Sequence, residues 1–391
     1  MTTPAATQQV SPQQANYAAR AQVLASAINM SQPIQSQTVN PAQNNPIVFT
    51  PRPVGLVKSF TLTLLATIHN TDGALDLTLT DVGLANLLAN QSGIVFTDLN
   101  NNQRINTGGW HLSMLNSIKQ RKPFASGYLI ETDTMGGYGE TYPILNSPTT
   151  IGHGTTATVR AVYEIPVSYS DDDLRGAIYA NVVNASMQLQ FQINNTPFTA
   201  AGADSTFAVY KGTTSAVITS VTATLYQNYL DQLPYGKNGV VLPLIDLSTV
   251  YELKNTNVGP QTANVEFPYQ YSNFRDFLST MMIYNHDTSG DSGRTVGTDI
   301  NYFALQSANF TNLWKKYPLD LSLMTRQILG CDLPKGAYYS SSRRKPISSV
   351  QYGNIELVIN PSTATANSQL FVGLEDFSYP NTITGAGSLA G

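Results

Sequence analysis

The sequence predicts an all-β protein of two tandem strand-rich units, preceded by a helix and an extended arm. Three observations carry this prediction. Beyond Gly55 the chain runs in short stretches of Val, Ile, Leu, Thr, Phe and Tyr separated by Gly, Asn, Asp or Pro, the pattern of antiparallel sheets with one buried face. No full crossover helix alternates with these strands, which disfavours a parallel α/β fold. A dense cluster of turn residues, Pro234, Gly236, Asn238, Gly239 and Pro243, separates two such regions.

The helix comes first. Ser11 can cap it, Pro12 suits the first helical position and Gln14 completes a capping box. The helical pattern runs to Met30. Tyr17, Ala21, Leu24, Ala25 and Ile28 recur at helical spacing as one narrow apolar stripe. Together with Arg20, the residues Tyr17, Ala21, Leu24 and Ile28 are the candidate face toward a membrane or a neighbouring subunit, with packing of the helix on its own body as the alternative. Residues 31–53 read as an extended arm, punctuated by Pro33, Pro41, Pro46, Pro51 and Pro53, able to reach an adjacent copy.

Strands are expected at Phe60–His69, Ala74–Asp81, Ile94–Asp98, Thr156–Tyr169, Met187–Ile193 and Ala216–Tyr226. Brief helical interruptions are expected at Gly83–Asn90, Asp171–Arg175 and Phe274–Thr280. Past the hinge, further strands are expected at Val265–Tyr271, Thr280–Asn285, Asn354–Asn360 and Gln369–Ser378. The two halves end alike: a strand closing in Ile-Asn, a polar loop, then a long final strand. Such units must hide their sheet edges, and the eight-stranded jelly roll is one common solution. Leu99–Gly109, Met135–Gly154, Asn194–Ser215 and Asn285–Thr298 read as long loops, suited to an outer surface or to contacts between subunits.

Composition narrows the function. Charged residues are 12% of the 391-residue chain, about half the usual share, which suits faces covered by neighbours. Net charge is −4, with no Lys/Arg block to neutralise a phosphate backbone, so direct nucleic-acid binding is not expected. Residues 1–71 hold no Asp or Glu, only Arg20, Arg52 and Lys58, so they carry +3 and the remainder −7. A weakly cationic end on an acidic body points to an anionic neighbour such as lipid headgroups or nucleic acid. The single cysteine, Cys331, excludes an intramolecular disulfide and fits folding in a reducing cytoplasm. There is no 18-residue apolar run and no signal-peptide layout.

No motif asks for catalysis. The histidines His69, His111, His153 and His286 lack metal-ligand spacing. Asp98–Asn100–Asn102 begins like an EF-hand loop, but Gln103 and Gly109 stand where Gly and Glu are needed. Asp171–Asp173 reads as a helix N-terminus. The glycines of Met135–Gly139 precede no helix, and no G-x-S-x-G elbow exists. No cofactor or metal is expected.

The segment Tyr229–Tyr251 (YLDQLPYGKNGVVLPLIDLSTVY) closely resembles the linker between the two jelly rolls of tectivirus major capsid proteins. Further similarities follow in order: TDVGLANL (Thr80–Leu87), GGWHL (Gly108–Leu112), NNTPFTAAGA (Asn194–Ala203), GTDINY (Gly297–Tyr302), SANF (Ser307–Phe310), PKGAYY (Pro334–Tyr339), KPI (Lys345–Ile347) and QYGN (Gln351–Asn354). The loops Met135–Gly154 and His286–Thr295 differ, and the segment before residue 46 is similar only in character.

The resemblance implies two tandem eight-stranded jelly rolls with an N-terminal helix and arm. It divides the chain into helix and arm (1–53), first jelly roll (54–230), hinge (231–243, with Pro234, Gly236, Gly239 and Pro243), second jelly roll (244–380) and tail (381–391). It implies a structural coat protein of a tailless phage, made in the bacterial host cytoplasm. Homotrimers would tile an icosahedral shell over an internal membrane and double-stranded DNA, with the N-terminal region toward the membrane. Neighbouring trimers, vertex (penton) proteins and minor or cement proteins are the implied partners. A carbohydrate-binding jelly roll and a glycoside-active β protein are the alternatives from other classes.

Overall fold

The computed structural model describes residues 11–41, 46–121, 148–182, 186–201, 207–237, 239–259, 261–286 and 297–379. Most of the Met135–Gly154 and Asn285–Thr298 loops, Asn238 and the tail 381–391 lie outside them. The helices are α1 (Pro12–Ser26), α2 (Gly109–Gln120), α3 (Leu244–Ser248), α4 (Pro318–Leu329) and α5 (Ser349–Tyr352), with a 3-10 turn at Gly83–Leu87.

In the first unit, one sheet has the order Ile28–Val39, Ala216–Asp231, Leu56–Asn70, Thr156–Pro166, with Ile178–Tyr179 appended to Leu56–Asn70. Along Leu56–Asn70 the burial alternates, and Phe60, Leu62, Leu64, Ala66 and Ile68 point inward, as the period of a strand dictates. The facing sheet has the order Ile47–Phe49, Gln188–Phe191, Ile94–Thr97, Gln103–Thr107. Phe60 of one sheet meets Phe96 of the other with ring centroids 5.5 Å apart.

The second unit repeats this plan. Val250–Asn257, Gln369–Ser378, Arg275–Asn285 and Ala337–Ser341 form one sheet; Phe267–Gln270, Ile355–Pro361, Ile300–Ser307 and Phe310–Lys316 form the other. Phe303 and Tyr338 meet across the sandwich at 5.1 Å. Each unit is thus four strands on four, the jelly-roll plan expected from the sequence.

The units are welded. Gln103–Thr107 pairs in parallel with Val250–Asn257, through Leu253↔Ile105 and Lys254↔Asn106. One sheet therefore runs through both sandwiches. A single buried cluster joins first-unit residues with Tyr251, Leu253, Met281, Ile283, Phe371 and Phe377 of the second. Phe207 packs edge-on against Phe371 at 4.5 Å. Gly373 leaves no room beside His111: a Cβ there would lie 2.5 Å from the imidazole. The turn-rich segment beside this junction forms a hairpin of Tyr235–Gly236 with Gly239–Val240, then α3. Pro234 accepts a hydrogen bond from the Val241 amide, and Gly239 has φ +108°, which favours glycine.

Several expectations need correction. The helix stops at Ser26 instead of Met30, because Ile28–Val39 is taken up as a strand along Val221–Asp231 of the same chain. This part of the arm completes the sheet of its own chain. Phe274–Thr280 is not helical. Arg275–Asn285 is a strand between two others and buried on both faces, so it lacks the alternation that marks a half-buried strand. Asp171–Arg175 is a turn and not a helix start: Ser170 Oγ accepts from the Asp173 amide, and Asp173 grips Arg175. Leu99–Gly109 is not all loop, since it holds the strand Gln103–Thr107, and Asn194–Ser215 holds strands Phe198–Ala200 and Tyr210–Gly212.

Candidate assembly surfaces

α1 is capped as expected. Ser11 Oγ accepts from the Gln14 amide, and Gln14 Oε1 accepts from the Ser11 amide. The face it turns to the body is not the apolar stripe. Asn16, Arg20, Val23 and Ala27 point inward, one turn apart. Arg20 donates from Nε and a terminal nitrogen to both oxygens of the buried Asp246, at 2.6 and 2.5 Å. Asn16 Nδ2 donates to Asp246 Oδ1 at 3.0 Å, while Asn16 Oδ1 accepts from the Ile245 amide. Val23 is fully buried among Leu56, Leu174, Ala177, Leu230 and Leu233. The helix thus sits across the junction, tied to α3 and to the first unit at once.

Arg20 therefore does not belong with the outward stripe, since a bidentate pair holds it inward. Tyr17 (61% exposed), Ala21 and Ile28 face solvent, and Leu24 is half-buried. Asp246→Ala is expected to destabilise by about 2–3 kcal/mol by leaving Arg20 and Asn16 without their partner. Limited proteolysis should then cut within residues 11–27 before the sandwiches open; cleavage as slow as in the wild type would contradict the clamp.

Between the units lies a buried charge network. The Glu375 carboxylate, with no exposure, accepts from Tyr251 Oη at 2.7 Å, Ser279 Oγ at 2.5 Å and Arg343 Nε at 2.8 Å. Lys119, at the end of α2 in the first unit, lies 3.2 Å away and also donates to Tyr251 Oη and to the Tyr169 carbonyl. Burial alone would raise the Glu375 pKa, but Lys119 and Arg343 outweigh it and hold the carboxyl at about 2. Burial, partly offset by Glu375, lowers Lys119.

Beside this, Arg275 bridges Glu252 and Asp376 at 2.6 Å each. Burial, reinforced by Glu252, pushes Asp376 up to about 6 despite Arg275. Asp98 is also a structural anchor. Its Oδ1 accepts from the amides of Asn100 and Asn102, and Oδ2 accepts from Arg104, which also donates to the Gly176 carbonyl. The EF-hand-like start is thus a carboxylate-capped turn, its charge already neutralised.

An open cleft of about 480 Å³ lies beside the charge network, lined by Lys58, Lys119, Glu164, Tyr169 and Asp171 among others. Lys58 and Lys119 are engaged with Asp171 and Glu375. Among the described residues, no three His, Cys, Asp or Glu side chains gather as a metal site. No described helix is long and apolar enough to cross a membrane. Exposed apolar side chains instead form a row on α4, Leu319, Leu323, Met324 and Ile328.

Two welded jelly rolls with a buried charge network between them define a structural class, the double jelly-roll coat protein. The comparisons agree. Family models described as P3 major capsid protein N-terminal and C-terminal match residues 2–233 and 248–391. Major capsid protein P3 of Enterobacteria phage PRD1 is 38% identical over 380 residues, 96% of this chain and 94% of that protein. The chain belongs to the P3 major capsid protein family.

Solved structures extend the likeness in fold. The STIV MCP superposes with TM-score 0.64 at 10% identity, covering 92% of this chain and 99% of its own. The PBCV-1 virus capsid model gives 0.52 at 10% identity, covering 90% and 94%. The protein is a phage major capsid protein, located in the capsid shell. Its family is structural and not enzymatic.

Proposed function

We propose that this capsid protein acts as a homotrimer with a nearly hexagonal footprint, tiling an icosahedral shell around an internal lipid membrane and a double-stranded DNA genome. One observation carries the reading: two similar sandwiches lie side by side and share a sheet, so three chains around an axis present six comparable barrels. A closed cyclic arrangement is also the ordinary outcome for identical subunits. The exposed apolar row of α4 supplies a face suited to a neighbouring copy.

In this reading residues 54–230 and 244–380 are the two barrels and 231–243 joins them. Neighbouring trimers, vertex (penton) proteins and minor or cement proteins are the partners. The outward residues Tyr17, Ala21 and Ile28 meet the membrane or a neighbour, while Leu24 of the stripe packs in part on the body. Direct contact with the genome is not part of the reading, since no Lys/Arg block exists to neutralise phosphates. Light scattering of the purified protein at micromolar concentration is expected to give three times the 42.3 kDa chain mass. A stable monomer would contradict the trimer.

A further inference from the structure

Phe274 combines two unusual features. It is 70% exposed, and its φ of +60° is a strained choice for a bulky side chain. Its neighbours share the exposure. The Ser349 hydroxyl accepts from the Arg275 amide and donates to the Arg275 carbonyl, which brings Val350, 64% exposed, to the same end of the unit. Phe310, 53% exposed, stacks edge-on against Tyr352 at 5.9 Å. The Ala308 and Tyr271 amides donate to the carbonyls of Asn354 and Ile355, so the three loops are knitted into one tip.

The tip lies at the α1 end of the molecule. α3 leads directly into Val250, which pairs with Ser378, which pairs with Arg275. Arg275, next to Phe274, is therefore two strand spacings, roughly 10 Å, from Val250, which lies one helical turn beyond the Ile245–Asp246 segment that α1 clamps.

The charge is one-sided. Loops 271–274, 307–310 and 342–354 contain Arg343, Arg344 and Lys345 and no Asp or Glu. Arg344 and Lys345 are exposed. They leave the sheet edge level with Leu278–Ser279, as the Ser342 amide donating to the Leu278 carbonyl shows. That is roughly 13 Å behind Phe274 along the strand. Two strand carboxylates flank these loops: Asp276, which accepts from Tyr379 Oη, and the half-buried Glu356 beside Ile355. An aromatic tip with cations set back by one headgroup depth matches a lipid interface.

We infer that the tip of the second barrel, centred on Phe274, Val350 and Phe310 and rimmed by Arg344 and Lys345, is a second docking point on an anionic lipid surface. It rests on the membrane-facing reading above and adds a contact distant in sequence from α1.

The test is co-flotation of the full-length protein with vesicles of phosphatidylcholine alone or mixed with phosphatidylglycerol. Phe274→Asn with Val350→Ser tests the tip, because Asn tolerates the left-handed backbone. This pair should weaken partitioning about tenfold, with native mass and unfolding temperature unchanged. Arg344→Glu with Lys345→Glu should remove the preference for phosphatidylglycerol. Tyr17→Ser with Ile28→Ser serves as the α1 arm. Unchanged flotation of the tip variant overturns the inference while the α1 contact stands. Loss of native oligomer mass also overturns it, by making the tip a contact between copies. A wild type that never floats overturns the membrane reading itself.

Discussion

Glu375→Gln should destabilise the protein by about 3–5 kcal/mol, because it leaves Lys119 and Arg343 buried without their shared counter-charge. Gln keeps the shape and can still accept from Tyr251 and Ser279, so the loss isolates the charge. The effect has a pH signature. The folded pKa of about 2 lies below the ordinary glutamate value of 4.5. The contribution is therefore fully present above pH 4.5 and is lost as pH falls toward 2, amounting to about 3 kcal/mol over that window. Urea unfolding at pH 6 and pH 3 should show wild type and variant converging in acid. Equal separation at both values would contradict the assignment.

Trp110→Ala should cost about 3–5 kcal/mol as a large cavity in a packed core. Trp110 is fully buried at the start of α2, lies 6.3 Å from the Phe207 ring, and donates from Nε1 to the Asn90 carbonyl. Its loss loosens the helix that carries Lys119 to Glu375, so the contact between the units weakens with the core. Trp110→Ala and Glu375→Gln should therefore combine non-additively in a double-mutant cycle. Strict additivity would show that α2 holds its position without the tryptophan.

What was legible in the chain was whatever has a local signature. The Ser11–Gln14 capping box and the alternating strands Phe60–His69 and Ala216–Tyr226 have a capping or periodic pattern, and Gln369–Ser378 shows as a run of Leu, Val and Phe without alternation; each forms where expected. α2 and α4 escaped notice. α2 opens on Gly109 behind Gly108, and α4 opens at Pro318 after the strand residues Trp314–Lys316, both without a Ser, Thr, Asp or Asn cap.

The inward face of α1 was misread for a related reason. Asn16 and Arg20 look like solvent residues until Asp246, more than 200 positions away, is brought against them. Glu375, Arg343 and Lys119 were equally invisible, since a buried network reads in sequence as scattered surface charge. The low charge content was a signal in hindsight: much of what charge there is sits at the junction.

In the proposed capsid a tile built from two barrels repeats over a closed shell with its α1 end inward. Electron cryo-microscopy of the assembled particle tests it most directly. The expected image has six-lobed units, each accounting for three chains, over an inner bilayer approached by density from α1. Units with two or four lobes, or a shell with its α1 end facing outward, would contradict it.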